Sequence, residues 1–268
     1  MQLKKSVDLI TWLLLIAIPI LCIITFLLPM DVQDALKART DNWNLLTFLT
    51  SVFVHGSIEH LLGNIVTFGL FGFLLYIINK KSNREKFLLY SLLLVIILLP
   101  IIYNIVFALV FSHQSIVSFG LSLVVGGVIG LVVPSVIVFL RDELKRTLDL
   151  VLFSSSLLFL TASTIAFPYV WSALYNLTVF VTTFSIGLVL FLKELGILIN
   201  FARKSGKEYR NKIIIAILII VVYFVSLFSL FPTSIVLSQG NIVNIFAHYF
   251  GLFFGIITGI YTIGYKTF

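Results

Sequence analysis

The sequence predicts an all-α polytopic membrane protein with about eight transmembrane helices, and three observations predict it. Of the 268 residues, 60% are hydrophobic and only 11% are charged, with a mean hydropathy of +1.15. An ordinary globular domain is about one-quarter charged. The charges gather between apolar stretches, each near the ~20 residues that cross the hydrocarbon core of a bilayer. Lys and Arg, finally, fall almost wholly in alternate connections, the asymmetry that sets membrane orientation.

The first span is expected over Leu9–Leu28. It follows Met1-Gln2-Leu3-Lys4-Lys5, a start that a signal peptide shares. The apolar run is too long for one, and no small-residue cleavage site follows Pro29, so a retained anchor is expected. From Met30 to about Ser51 apolar and polar residues mix (Val32, Ala35, Leu36, Trp43, Leu45, Leu46, Phe48), as in a segment lying in the interface. The second span is Ser57–Ile78, the third Phe87–Phe111 and the fourth Ile116–Leu140. The fifth, Leu148–Phe167, and the sixth, Tyr169–Leu192, are divided by Pro168 with no charge between them. A basic connector, Lys193–Lys212, leads to the seventh, Ile213–Phe231, and the eighth is Asn241–Ile263.

With the amino terminus inside, sixteen of the 18 Lys and Arg lie inside, Lys145, Arg146 and Lys266 among them, and only Lys37 and Arg39 outside. The net charge of +7 therefore reports topology, and no nucleic-acid site is read from it. The basic connector reads as a solvated cytoplasmic loop, with anionic lipid as the alternative contact. The single cysteine, Cys22, lies within a span, so it forms no internal disulfide and says nothing about compartment. No internal repeat, low-complexity tract or soluble domain is evident, and residues 1–268 read as one membrane domain.

Against this apolar background three polar clusters stand out. His55, His60 and Asn64 form H-x-x-x-x-H-x-x-x-N; Ser122 ends Gly120-Leu121-Ser122; His248 opens His248-Tyr249-Phe250-Gly251-x-x-x-Gly255. Polar groups are costly in lipid and mark function by default. The second, fourth and eighth spans all run from outside to inside, which puts these residues in one layer, roughly 6 to 12 Å below the outer helix ends. His60 and Asn64 are four apart and share a helix face. Ser122, Gly126 and Gly130 form one stripe, and Asn244, His248, Gly251, Gly255 and Gly259 another. Glycines at that spacing let helices approach closely, and packing the two stripes together would bring hydroxyl and imidazole within hydrogen-bond reach. Each feature alone has a plainer reading: glycine stripes pack helices, a lone membrane histidine satisfies a neighbour, and a membrane serine bonds back to its own helix. Their conjunction points to catalysis. Metal binding is not expected, since His55 and His60 are five apart and no acidic residue shares their face. His113 is expected as an exposed loop residue, and Glu59 at headgroups or water.

These residues resemble the rhomboid family of intramembrane serine proteases. Val54-His55-Gly56-Ser57-Ile58-Glu59-His60-Leu61-Leu62-Gly63-Asn64 is similar to the second-helix motif of that family, Gly120-Leu121-Ser122 to its G-x-S-G nucleophile motif, and His248-x-x-Gly251-x-x-x-Gly255 to the helix carrying its base. The resemblance implies a rhomboid-like helical bundle in which Ser122 is the nucleophile and His248 the base of a Ser-His dyad. It further implies an oxyanion hole of His60, Asn64 and the Ser122 N–H, with His55, Gly120, Gly251 and Gly255 in support. No cofactor or metal is implied, and the expected partners are transmembrane protein substrates within the lipid bilayer.

The chain departs from that pattern in four places. Leu123 stands where the second glycine of G-x-S-G belongs, and Gly126 where many relatives carry an aromatic one turn after the serine. Trp43-Asn44 does not match the Trp-Arg pair of the family's first outer loop. The family core has six helices, one between serine and base, whereas three spans separate Ser122 from His248 here. The even excess preserves sidedness and implies an inserted helical hairpin within residues 148–231, around a six-helix core. Two other functions compete with an endopeptidase: a rhomboid-like pseudoprotease that binds client helices without cutting, and a small-solute transporter. Transporters usually show repeated halves and midplane sites, which this sequence lacks. The Ile, Leu and Lys content, without an organellar targeting segment, fits a prokaryotic plasma membrane.

Overall fold

A computed structural model of the chain describes residues 2–111, 113, 115–143, 150–167, 174–204, 206–230 and 245–264. Lys145, Arg146, Pro168, Asn244 and Lys266, which entered the expectations above, lie outside them. In chain order the elements are α1 (Gln2–Phe26), α2 (Met30–Ala35), β1 (Ala38–Arg39), α3 (Leu45–Thr50), α4 (Ile58–Lys81), α5 (Glu85–Leu93), α6 (Leu99–Val110), β2 (Val117–Ser118), α7 (Ser122–Gly130), α8 (Val132–Glu143), α9 (Leu150–Ala166), α10 (Leu174–Lys204), α11 (Lys207–Leu230) and α12 (Ile245–Gly264).

Among the described residues seven stretches are long and apolar enough to cross a membrane: Ser6–Phe26, Ile58–Lys81, Glu85–Val110, Ser122–Asp142, Leu174–Lys204, Lys207–Phe228 and Ile245–Ile263. The protein is an all-α, multi-pass integral membrane protein. Three expectations need correction. The fourth span starts at Ser122 and not at Ile116, because Val117-Ser118 pairs as a strand with Ala38-Arg39; an apolar composition suits strand and helix alike. Among the described residues the fifth, α9, has 17 residues, about 25 Å of helix, shorter than the seven stretches above; Leu148 and Asp149 of the expected span lie outside those residues. The basic connector is mostly helical: α10 continues to Lys204 and α11 begins at Lys207, because Lys, Arg, Glu and Leu favour helix whether or not lipid surrounds them.

Contacts divide the chain into two compact units, residues 1–131 with 246–268, and residues 132–245. In the first, α1 packs against α4 and α5. Trp12 lies on Tyr76 with ring centroids 4.9 Å apart, and Lys80 joins Asp8 (3.2 Å) to the Tyr76 hydroxyl (2.6 Å). Ser57 caps α4 by accepting the His60 N–H at 3.2 Å, with Glu59 in the first turn and Lys80 and Lys81 in the last, the charge order that suits the helix dipole. Between α5 and α6 the helix widens into a π-turn over Leu94–Leu98 just before Pro100, where the imino acid supplies no N–H to the ladder. Tyr103 and Phe107 of α6 stack with Phe246 and Phe250 of α12, and Ser91 bonds Thr262 at 3.0 Å.

In the second unit α9 and α10 form an antiparallel hairpin. Phe153 stacks on Phe191, while Gly187, one turn earlier on α10, meets the backbone of Leu160 further along α9. α11 packs on α8 and α9, joined by a buried Thr161–Tyr223 hydroxyl pair at 2.9 Å.

Candidate functional site

The turn that introduces Ser122 is fixed by main-chain geometry. Gly120 has φ +112°, a left-handed conformation that any side chain would strain. A Cβ there would also lie 3.0 Å from the His60 Cε1. Its N–H donates to the Ser51 carbonyl at 2.9 Å, and the Leu121 carbonyl accepts the Val125 N–H at 2.9 Å. Ser122 is thus the first residue of α7, where backbone N–H groups have no partner within the helix and the dipole favours negative charge. The serine sits at the helix end itself, above the depth expected from a span starting at Ile116.

The histidines converge on this turn. His55 is 2% exposed. Its Nδ1 lies 3.1 Å from the Phe53 carbonyl, its Nε2 3.1 Å from the Asn64 amide nitrogen and 3.5 Å from the Leu121 N. The His60 ring meets that of His55 edge-on at 5.1 Å and reaches Gly120 on its other side. His55 and His60 therefore meet the Gly120–Leu121 turn, and Asn64 joins it through His55. Sequence reasoning treated His55 as a support; in the fold it is the residue that touches both the Asn64 amide and the turn before Ser122. The signal for this was the capped turn Gly56-Ser57, which folds the chain back so that a residue nine before Asn64 lies over its face.

Burial, reinforced by the charge repulsion of nearby His60, pushes the His55 pKa down from 6.5 to about 4. Above pH 6.5 the ring is neutral in folded and unfolded chains alike, and its contribution is complete. As pH falls from 6.5 toward 4 the unfolded chain takes up a proton that the folded chain refuses, so stability declines through that window. Thermal midpoints in detergent should drop between pH 6.5 and 4, and His55→Gln should flatten that drop. An unchanged profile in the variant would assign the slope elsewhere.

α7 and α12 pack backbone against backbone. A Cβ on Gly126 would lie 3.1 Å from the His248 carbonyl; one on Gly130 would overlap the Leu252 carbonyl, one on Gly251 that of Leu123, and one on Gly255 that of Gly127. Moving from Gly126 to Gly130 moves the contact from His248–Leu252 to Leu252–Ile256, so the helices run in the same direction. Ser122, one turn before Gly126, lies at the level of the first turn of α12, which carries the buried His248. Gly126 cannot bear the aromatic that the resemblance suggested, because α12 main chain already fills that space. Leu123 is buried, at 3% exposure. Glu59 and His113 are exposed.

The outer segment is tied to the same turn. β1 pairs with β2, with Ala38 opposite Ser118 and Arg39 opposite Val117. The Thr40 N–H donates to the Ile116 carbonyl at 3.1 Å, and the Ile116 N–H to the Thr40 hydroxyl at 2.9 Å. Arg39 holds Asp41 through two guanidinium nitrogens, Nε and Nη2, each at 3.0 Å, and Ser115 donates to Asp41 at 2.6 Å. The Arg39 guanidinium, then the Ser115 hydroxyl, hold the Asp41 carboxyl well below the usual carboxylate range. Sequence reasoning missed this trio, because Ser115 lies 74 residues from Asp41 in the chain. Being exposed, it should add little global stability. Asp41→Ala should instead raise protease nicking within residues 36–44 or 112–119, with a thermal midpoint close to that of the wild type.

Fold and site together define the class: a multi-pass membrane protein with a serine at a helix end, two histidines beside the turn that leads into it, an amide bonded to one of them, and a third histidine on the adjoining helix. Among the described residues no three His, Cys, Asp or Glu side chains are grouped to hold a metal ion. Comparison with protein-family models, with curated proteins and with solved structures gives no match.

Proposed function

We propose that this chain is an intramembrane serine endopeptidase of the rhomboid type, which cleaves transmembrane segments of other proteins near the outer leaflet. The observation that carries the reading is the meeting of the turn before Ser122 with His60 and with His55, which holds Asn64, together with the direct α7–α12 contact. Ser122 Oγ attacks the scissile carbonyl carbon while His248 accepts its proton. The carbonyl oxygen becomes an oxyanion, met by the Ser122 N–H, His60 and Asn64. Collapse of the tetrahedral adduct breaks the C–N bond and returns the proton from His248 to the leaving amine. Water from the outer face then attacks the acyl-serine, gives its proton to His248 and frees the carboxyl product and Ser122.

In this reading the amino terminus lies inside a prokaryotic plasma membrane, the orientation that the Lys and Arg distribution favours. The inserted helical hairpin falls within residues 148–231 in this reading. Purified protein in liposomes with a single-span substrate tests the assignment. Cleavage that persists in both Ser122→Ala and His248→Ala rules out the dyad.

Leu123, buried where relatives keep a bare glycine, favours one other reading, a pseudoprotease that binds client helices. A fluorophosphonate probe separates the two: labelling at Ser122 supports the enzyme, and silence under conditions that label an active relative supports the binder.

A further inference from the structure

His55 touches three segments of the site, and two of its neighbours have fixed hydrogen-bonding roles. The Phe53 carbonyl can only accept, so Nδ1 at 3.1 Å must carry the ring proton. The Leu121 N–H can only donate, so Nε2 at 3.5 Å must be the bare nitrogen. The Asn64 amide then presents its NH2 and not its oxygen to Nε2 at 3.1 Å, since an oxygen would set lone pair against lone pair. The opposite tautomer would break the bond to Phe53 and turn an N–H against two donors.

We infer that His55 is the positioning residue of the oxyanion pocket: its Nε2 lone pair holds one hydrogen of the Asn64 amide and the Leu121 N–H, fixing the amide plane and the turn before Ser122 while leaving the second amide hydrogen for a substrate carbonyl. The inference rests on the peptidase reading for its catalytic meaning and on main-chain chemistry for its hydrogen-bond polarity. An amide NH2 with one hydrogen anchored has a single remaining direction in which to donate, and such preorganisation separates a pocket for an oxyanion from a loosely polar surface. Neutral imidazole is the form this task needs, and a buried ring beside a second histidine stays in that form.

Two measurements test it. Rates of Ser122 phosphonylation by a fluorophosphonate are compared for wild type, His55→Ala, Asn64→Ala and the double variant. Each single variant should lose roughly 10²-fold; the double should be no slower than Asn64→Ala alone, and KM for a peptide substrate should hold nearly constant. A double-variant loss equal to the product of the single losses overturns the inference, because residues acting as one unit do not add. His55→Gln, which keeps an acceptor oxygen, should recover part of the rate if it folds with a wild-type thermal midpoint. Separately, 15N NMR of the imidazoles in detergent micelles, assigned with His55→Gln, should find His55 Nε2 unprotonated from pH 8 to 5 and its resonance shifted by Asn64→Ala. An Nε2-protonated ring overturns the hydrogen-bond assignment. Absence of labelling in the wild type retires the peptidase reading and with it the catalytic role, whereas the NMR result reports on the polarity in either case.

Discussion

Ser122→Ala and His248→Ala are each expected to reduce peptide-bond cleavage by about 10⁴- to 10⁶-fold, and the double variant by no more than either alone. The size follows from the division of labour. Without the hydroxyl no acyl intermediate forms, and without the imidazole the hydroxyl keeps its proton at neutral pH. Either loss removes the same step, so a second loss has nothing left to remove. What survives is stabilisation by the pocket donors, which acts on water attack as well. His60→Ala and Asn64→Ala should accordingly cost less, about 10²- to 10³-fold. Progress curves with a single-span substrate in liposomes check the order. A His248→Ala protein cleaving within tenfold of the wild type would remove the base from the mechanism.

Gly255→Leu and Gly130→Leu should be the most damaging substitutions away from the polar residues. At both positions a Cβ already collides with main chain of the opposing helix, the Gly127 carbonyl for Gly255 and the Leu252 carbonyl for Gly130. Main chain cannot rotate aside as a side chain can, so α7 and α12 must separate. Overpacking of this kind costs about 1–3 kcal/mol, and it also widens the distance between the helices that carry Ser122 and His248. Both thermal midpoint and labelling of Ser122 should therefore fall. A methyl group added at Gly69 or Gly196 would meet nothing within 4 Å, and Gly→Ala at either should leave both readouts close to wild type. Equal tolerance at all four positions would show that the backbone contact contributes nothing.

Much of this architecture was legible in the sequence, and the reasons for the remainder are physical. Apolar run length identified the long spans because lipid demands it. Four-residue glycine spacing forecast the α7–α12 contact because only bare backbones meet so closely. The strand pair at Val117-Ser118 was hidden because Ile116, Val117 and Phe119 extend the apolar run of the serine helix, and hydropathy does not register where backbone hydrogen bonds go. Gly120 was the visible clue that the helix could not start earlier. α10 outran its apolar stretch because helix formation continues through Lys193, Glu194 and Arg203. The role of His55 depended on a turn that brings residues 55 and 64 together, which neither spacing nor composition expresses.

Residues 36 to 51 are held to the rest of the chain at two further points and closed on themselves at a third. The Asn104 amide donates to the Phe48 carbonyl, the Thr50 hydroxyl to the Leu36 carbonyl, and the Gly120 N–H to the Ser51 carbonyl. Residues 36 to 51 are thereby riveted both to a membrane-spanning helix and to the hinge beneath the serine. That stretch cannot swing as a loose flap: to lift it is to tug the turn before Ser122 out of register, so under the peptidase proposal a substrate has to enter elsewhere on the rim.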